Sequence, residues 1–293
     1  MTQVSRSLAG IGLVIAACAC FCALDTTTKY VSKSVPLLMA LWARYMFQAG
    51  ATALVVLPQR GWVVWRTRHL HFQLLRGLLL LLTSLAAFFS LRFLPVGEFT
   101  AIVMLTPLAM TVIAATVLKE RVSPVGWAFV AGGFAGTLVV MRPGSTAFRS
   151  IASLLPLCAV IFNVAFQLLT SRLARTEDPI TTHLYTGWTG AVAATLVLPF
   201  VWAELPDARL WLALGFMGLM GTVGHFLLIL AFGKARASTL MPFLYTQVFF
   251  SMLAGWLVFD HFPDDASMAA MLLIVVCGAG GAWHSRREEL RGD

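Results

Sequence analysis

The sequence predicts an all-α polytopic membrane protein of ten transmembrane helices in two inverted five-helix repeats, and three observations carry that expectation. Only 12% of the 293 residues are charged and 59% are apolar, with a mean hydropathy of +0.84. An average globular domain has roughly twice that charged fraction, so a soluble chain of this make-up could not cover its own surface. Apolar runs of about 20 residues, each able to cross a hydrocarbon core of roughly 30 Å, recur along the whole length. Local patterns also return after about 140 residues.

Glycine and proline breaks, with charges as punctuation, set the elements in order. The first half has spans at about 8–30, 36–58, 72–92, 95–118 and 124–141. The second half has spans at about 150–172, 180–200, 209–231, 236–259 and 265–284. Connections are short, the longest running from about Gln59 to His71, which leaves no room for an extramembrane domain. With the N-terminus in the cytoplasm, Arg6, Arg60, Arg66, Arg68, Lys119, Arg121, Arg172, Arg175, Lys234, Arg236, Arg286, Arg287 and Arg291 fall inside. Lys33, Arg92, Arg142, Arg149 and Arg209 fall outside, so thirteen basic residues stand against five. That follows the positive-inside rule and puts both termini in the cytoplasm, which requires an even number of spans. Arg6 and the run ending Ile15-Ala16-Ala17-Cys18 also resemble a lipoprotein signal peptide, but the apolar run continues to Leu24 and cleavage would remove a helix that the even count needs.

The net charge of +8 does not point to nucleic acid, because the basic residues occur in ones and twos between apolar runs and never form a stripe. Cys18, Cys20, Cys22, Cys158 and Cys277 all lie in apolar runs at no zinc-ligand spacing and read as small buried residues. No cofactor or metal is expected.

The repeat shows in three places. Gly50 to Pro58 closes the second span as Ala191 to Pro199 closes the seventh, 141 positions later. The link Arg92-Phe93-Leu94-Pro95 has its counterpart in Ala231-Phe232-Gly233-Lys234. Glu120-Arg121 ends the fourth span as Asp260-His261 ends the ninth. Residues 1–143 and 144–293 therefore form two units of five helices. Five is odd, so the second unit crosses the membrane in the opposite sense, an arrangement characteristic of transporters.

Asp25-x-x-x-Lys29, Arg44, and the stretch Ala101-Ile102-Val103-Met104-Leu105-Thr106-Pro107 leading to Lys119-Glu120-Arg121 resemble the drug/metabolite transporter superfamily in its EamA-type ten-helix branch. The resemblance covers essentially the whole chain. It implies a basket of helices around a central cavity, lined mainly by spans three, four, eight and nine with contributions from one and six.

Several residues are candidates for contact with a substrate. Asp25 and Lys29 share one face of the first span a turn apart, and charge in hydrocarbon must pair or face water. They read either as an interfacial ion pair or as substrate contacts, with Asp25 also a candidate carrier of a coupling proton. Arg44 lies roughly 12 Å inside the second span at about 1.5 Å per residue, too deep for easy snorkelling. It needs a partner, either Asp25 or a substrate carboxylate held bidentately. Glu98 is expected at the outer interface, opening the fourth span. Thr106, Asn163, Gln167, Tyr185, Trp188, His225, Tyr245 and Gln247 read singly as interhelical hydrogen-bonding groups and together as a moderately polar pocket with aromatic walls. Pro107 and Pro242 interrupt corresponding spans. Gly215, Gly218, Gly221 and Gly224 recur every third residue on the eighth, allowing close backbone approach.

No GxGxxG, Walker A or H-E-x-x-H motif is present, and a triad of Ser84, His225 and Asp25 has no support from spacing, so enzymatic activity is not expected. The expected function is secondary transport of amino acids, aromatic or other apolar ones first, by export across a bacterial inner membrane. The alternatives are uptake of a nucleoside-like, vitamin or organic-cation compound, or a non-transporting scaffold. Expected partners are a small-molecule substrate, membrane lipid and a proton in a coupled mechanism, with no nucleic acid, and the chain acts as a monomer or homodimer.

Overall fold

Apolar chain in hydrocarbon folds into helices because every backbone N–H and C=O must find its partner within the segment. The computed structural model describes residues 3–32, 34–93, 99, 102–141, 154–205, 207–259 and 265–292. Those residues are helical or in short connections, with no strand among them. In order they form α1 (Gln3–Val31), α2 (Leu37–Arg60), α3 (Leu70–Phe93), α4 (Leu105–Thr116), α5 (Pro124–Met141), α6 (Leu154–Leu173), α7 (Pro179–Val197), α8 (Ala208–Lys234), α9 (Ala237–Leu244), α10 (Thr246–Phe259) and α11 (Asp265–Gly292). Glu98, Asp260, His261, Lys33, Arg142 and Arg149 lie outside the described residues.

Among the described residues, six helical segments are long and apolar enough to cross a membrane: Ser5–Val31, Leu37–Trp65, Leu70–Ser90, Leu154–Leu173, Ala208–Lys234 and Ala237–Val258. Leu54, Leu196, Leu212 and Phe200 project outward, between 72% and 85% exposed, which suits lipid and not water. Trp42, Trp202 and Trp211 cluster where α2 begins, with successive ring centroids 6.0 Å and 6.3 Å apart. Such a cluster is expected of an interfacial aromatic belt.

Local chemistry sets the ends. Gly61, with φ +58°, caps α2, and the chain leaves the helix there into a 3-10 turn, Gly61–Trp65. That conformation penalises any Cβ, so glycine suits the position. Asp178 caps α7 by accepting from the Thr181 amide, with Pro179 at the first helical position. Asp207 caps α8 in the same way, its carboxylate accepting from the Arg209 amide at 2.8 Å.

Two expected spans are interrupted. The expected helix at 95–118 turns at Met104 before α4, and the one at 236–259 turns at Tyr245 between α9 and α10. Pro242 lies in the last turn of α9, and Pro107 in the first turn of α4.

The most extensive helix contacts are α1 with α8, α3 with α6, α5 with α11, and α2 with α7. Small residues make them close. A Cβ on Gly224 would stand 2.8 Å from the Phe21 ring, and one on Gly190 would overlap Tyr45. Three of the four glycines at three-residue spacing on α8 meet a side chain in this way, Gly218 under Phe47, Gly221 under Arg44 and Gly224 under Phe21, whereas Gly215 has open space.

One face is tied together. Arg60 donates to Asp178 at 2.9 Å and the Arg68 amide to Glu177 at 3.0 Å, joining the α2–α3 link to the α6–α7 link. Glu120 accepts from Arg175 Nη2 at 2.8 Å and from the Ser238 amide at 3.0 Å. One buried carboxylate therefore fastens α4, the α6–α7 link and the first turn of α9, whose N-terminus favours negative charge.

Candidate functional site: a polar cavity in the helix bundle

A cavity of about 150 Å³ lies among α1, α2, α3, α4, α6, α8, α9 and α10. Its wall uses the last third of α1, the later part of α3 and the first two-thirds of α6, so it lies toward the face at which α1 and α3 end. That face is opposite the one tied by Glu120 and Asp178.

Of the residues the sequence singles out, Asp25, Arg44, Thr106, Asn163, Gln167, His225 and Gln247 line this one cavity. Phe21, Phe88, Phe99, Phe166, Leu228 and Leu244 supply apolar wall. Helical spacing explains part of the convergence, because residues four apart share a face. Asn163 and Gln167 are such a pair on α6, and Gln167 Nε2 donates to Asn163 Oδ1 at 3.2 Å.

Arg44 is buried, and its partners differ from those expected. It forms no ion pair with Asp25; instead Nη1 donates to Ser84 Oγ at 3.1 Å and Nη2 to His225 Nε2 at 2.8 Å. A guanidinium can only donate, so His225 accepts through Nε2 and is the neutral tautomer with its proton on Nδ1. Tyr45 adds its hydroxyl to Ser84 at 3.2 Å and its ring beneath the guanidinium at 5.3 Å. A ring face so placed attracts the cation. Asp25 takes its hydrogen bond from Gln247 Nε2 at 3.1 Å. The two charges thus face one cavity without neutralising each other by contact.

Four buried polar atoms on the wall have no hydrogen-bond partner: Arg44 Nε, Thr106 Oγ1, Gln167 Oε1 and His225 Nδ1. Such groups are costly unless something satisfies them. The site offers one cation, one anion, three amides and a phenylalanine-rich wall, which is equipment for holding a small amphipathic molecule. Among the described residues no cluster of His, Cys, Asp and Glu could hold a metal ion.

The remaining candidates lie elsewhere. Tyr185 donates its hydroxyl to the Trp65 carbonyl at 2.8 Å, and Tyr185 and Trp188 both set their rings edge-on to Trp65. They dock the Gly61–Trp65 turn onto α7 instead of walling the cavity, an arrangement that gives an aromatic pair both its packing and its polar handle. Tyr245 is wholly buried at the break between α9 and α10, its ring filling the space left by Gly133 on α5. Lys29 is exposed one turn beyond Asp25 and outside the cavity wall.

Two participants, and one buried arginine outside the cavity wall, carry little signal in the sequence. Ser84 and Phe166 sit in apolar runs that predict only a span, yet Ser84 holds Arg44 and Phe166 forms wall. Arg76 is 0% exposed between α3, α6 and α7.

A helical bundle with six segments of membrane-crossing length, folded around a cavity that pairs unlike charges with aromatic wall, defines a multi-pass membrane transporter. The chain belongs to the EamA-like transporter family, whose model matches residues 8–142 and again residues 150–279. A riboflavin transporter of Rhizobium johnstonii is 30% identical over 88% of this chain and 86% of its own length. An S-adenosylmethionine uptake transporter of Rickettsia conorii is 25% identical over 92% of this chain and 90% of its own. A crystal structure shares the fold with a TM-score of 0.77 at 21% identity, over 97% of this chain and 99% of that one.

Proposed function

We propose that this protein is a secondary transporter of the bacterial inner membrane with ten spans and both termini cytoplasmic, working by alternating access between two inverted repeats, residues 1–143 and 144–293. Its cargo is a small metabolite that joins a planar ring to a carboxylate or similar polar head. The single observation that carries this is the cavity in which Arg44, Asp25, Gln167 and Gln247 meet Phe21, Phe88, Phe99 and Phe166.

The pairing of helices supports the repeat. Exchanging the two units turns the α1–α8 contact into α6–α3, while α2–α7 and α5–α11 map onto themselves, and each is an extensive contact. The breaks at Met104 and Tyr245 stand 141 positions apart, the spacing of the sequence repeat. Five helices per unit favours inverted over parallel repeats. The Glu120 and Asp178 ties would close the cytoplasmic face in this state, and their release would open it.

Riboflavin and S-adenosylmethionine, the cargoes in the relatives' names, each carry a flat heterocycle, which supports vitamin-like or nucleoside-like cargo first. Export of aromatic amino acids is the second reading, favoured by Asp25 and Arg44 facing one cavity, since these suit an ammonium and a carboxylate. Proteoliposome counterflow with riboflavin, S-adenosylmethionine, tryptophan and choline tests both. Saturable counterflow of at least one ring-bearing compound is expected. Folded protein that exchanges none of the four, as a scaffold would behave, sinks the proposal, and choline as the sole cargo removes the anionic head.

A further inference from the structure

We propose that Arg76 is a second station for the anionic end of the cargo, occupied when the bundle opens toward the face where α3 begins, with the Phe166 ring as the partition between it and Arg44. This rests on the transport reading above.

Arg76 stands six residues into α3. That is about 9 Å along the helix. The residue is 0% exposed, so its side chain does not reach the interface. A snorkelling arginine would leave its head in water. Its hydrogen bonds all go to neutral oxygens: Nε donates to Thr170 Oγ1 at 2.7 Å, and Nη1 to Thr182 O at 3.3 Å and to Thr186 Oγ1. Thr170 and Thr186 use their own protons on the Phe166 and Thr182 carbonyls, so they offer Arg76 only lone pairs. Nη2 has no partner, and among the described residues no carboxylate pairs with this guanidinium. Around it, His183 is 3% exposed with neither ring nitrogen bonded, and Gln73 keeps an unpartnered Oε1 after donating to Thr182 at 3.1 Å.

One phenyl ring touches both Arg76 and the histidine that holds Arg44. Arg76 Cζ is 4.5 Å from the Phe166 centroid. The same ring meets His225 edge-on at 5.7 Å, and His225 accepts from Arg44. A strut between α3, α6 and α7 could be built from an amide without burying an uncompensated charge. An arginine with a free donor edge, stacked on a ring that lines the cavity, is instead suited to receive a carboxylate or phosphate bidentately if that ring swings away.

The test begins on unmutated protein. Proteoliposomes are treated with phenylglyoxal, a reagent for water-accessible guanidiniums, at rest and during counterflow, and Arg76 is followed by peptide mass spectrometry. Modification during counterflow is expected, slowed about ten-fold by indole-3-acetate and not by its neutral isostere indole-3-acetamide. Arg76 left unmodified while flux proceeds, or slowed equally by acid and amide, overturns the proposal. Absence of flux in the unmutated protein refutes the transport reading itself and is told apart by that control. Arg76→Gln should then lose the preference for acid over amide, measured as competition, from the α3-start face only. Equal loss at both faces, or no loss, also overturns it.

Discussion

Replacing Arg44 with lysine is the perturbation that most sharply separates a cargo-binding guanidinium from a packing one. The guanidinium divides two donor groups between Ser84 and His225, and its charge has no anionic partner in contact. A cargo carboxylate entering the cavity would take both donors in parallel. Lysine keeps the charge and a stem that can still lie over Gly221, but it has one nitrogen and no planar fork. It therefore forfeits one charge-assisted hydrogen bond to the carboxylate, worth about 1.5–3 kcal/mol, or roughly ten- to a hundred-fold in affinity. Stability should fall by only about 1 kcal/mol, because one of the two neutral contacts survives. The assay is the half-saturation concentration for counterflow in proteoliposomes, read beside the thermal midpoint of the same preparation. An unchanged half-saturation in Arg44→Lys, or a loss of flux matched by a collapse of the thermal midpoint, refutes the reasoning and returns Arg44 to a packing role.

Asp25→Asn keeps the shape and the contact to Gln247 but removes the ionisable oxygen; flux driven by an imposed pH gradient should be lost while counterflow persists, and gradient-driven flux equal to that of the parent would remove Asp25 as the proton carrier. Gly224→Ala puts a methyl 2.8 Å from the Phe21 ring between α1 and α8. It should cost about 1–3 kcal/mol by overpacking, seen as a lowered thermal midpoint. Glu120→Gln weakens the tie among α4, Arg175 and α9, in which Arg175 is half-exposed. The loss should be at most about 1 kcal/mol, read as faster labelling of a cysteine at Ser238 from the tied face. No change in that rate would show that the tie does not hold the face closed.

Several helix starts are legible in the sequence: Pro124, Pro179 and Asp265 open helices at or next to where their chemistry predicts. The interruptions at Met104 and Tyr245 are harder to read. A proline marks that a span is disturbed without saying where the chain turns, and Tyr245 turns three residues beyond Pro242. Within the site, helical spacing sufficed for Asn163 and Gln167, which share one face. It could not give partners across helices, which is why Asp25 was expected beside Arg44 while Ser84 and His225 hold it. Tyr185 and Trp188 lie away from the cavity for a related reason: an aromatic pair near a helix end suits a cavity wall as well as a docking face, and here the pair packs on the Gly61–Trp65 turn. Arg76 is the largest omission, since an arginine a turn or two inside an apolar run looks like one reaching for the interface.

Alternating access to the Arg44 cavity is the central claim, and the accessibility of one cavity residue tests it most directly. Ala87 lines the cavity on α3. With the five native cysteines replaced, Ala87→Cys is labelled in oriented proteoliposomes by a membrane-impermeant thiol reagent. Reaction is expected from the face where α1 and α3 end, slowed several-fold by a compound that the counterflow panel shows to be exchanged and unaffected by one that is not. Equal labelling from both faces at once, or a rate indifferent to the exchanged compound, would contradict a gated binding cavity at this position.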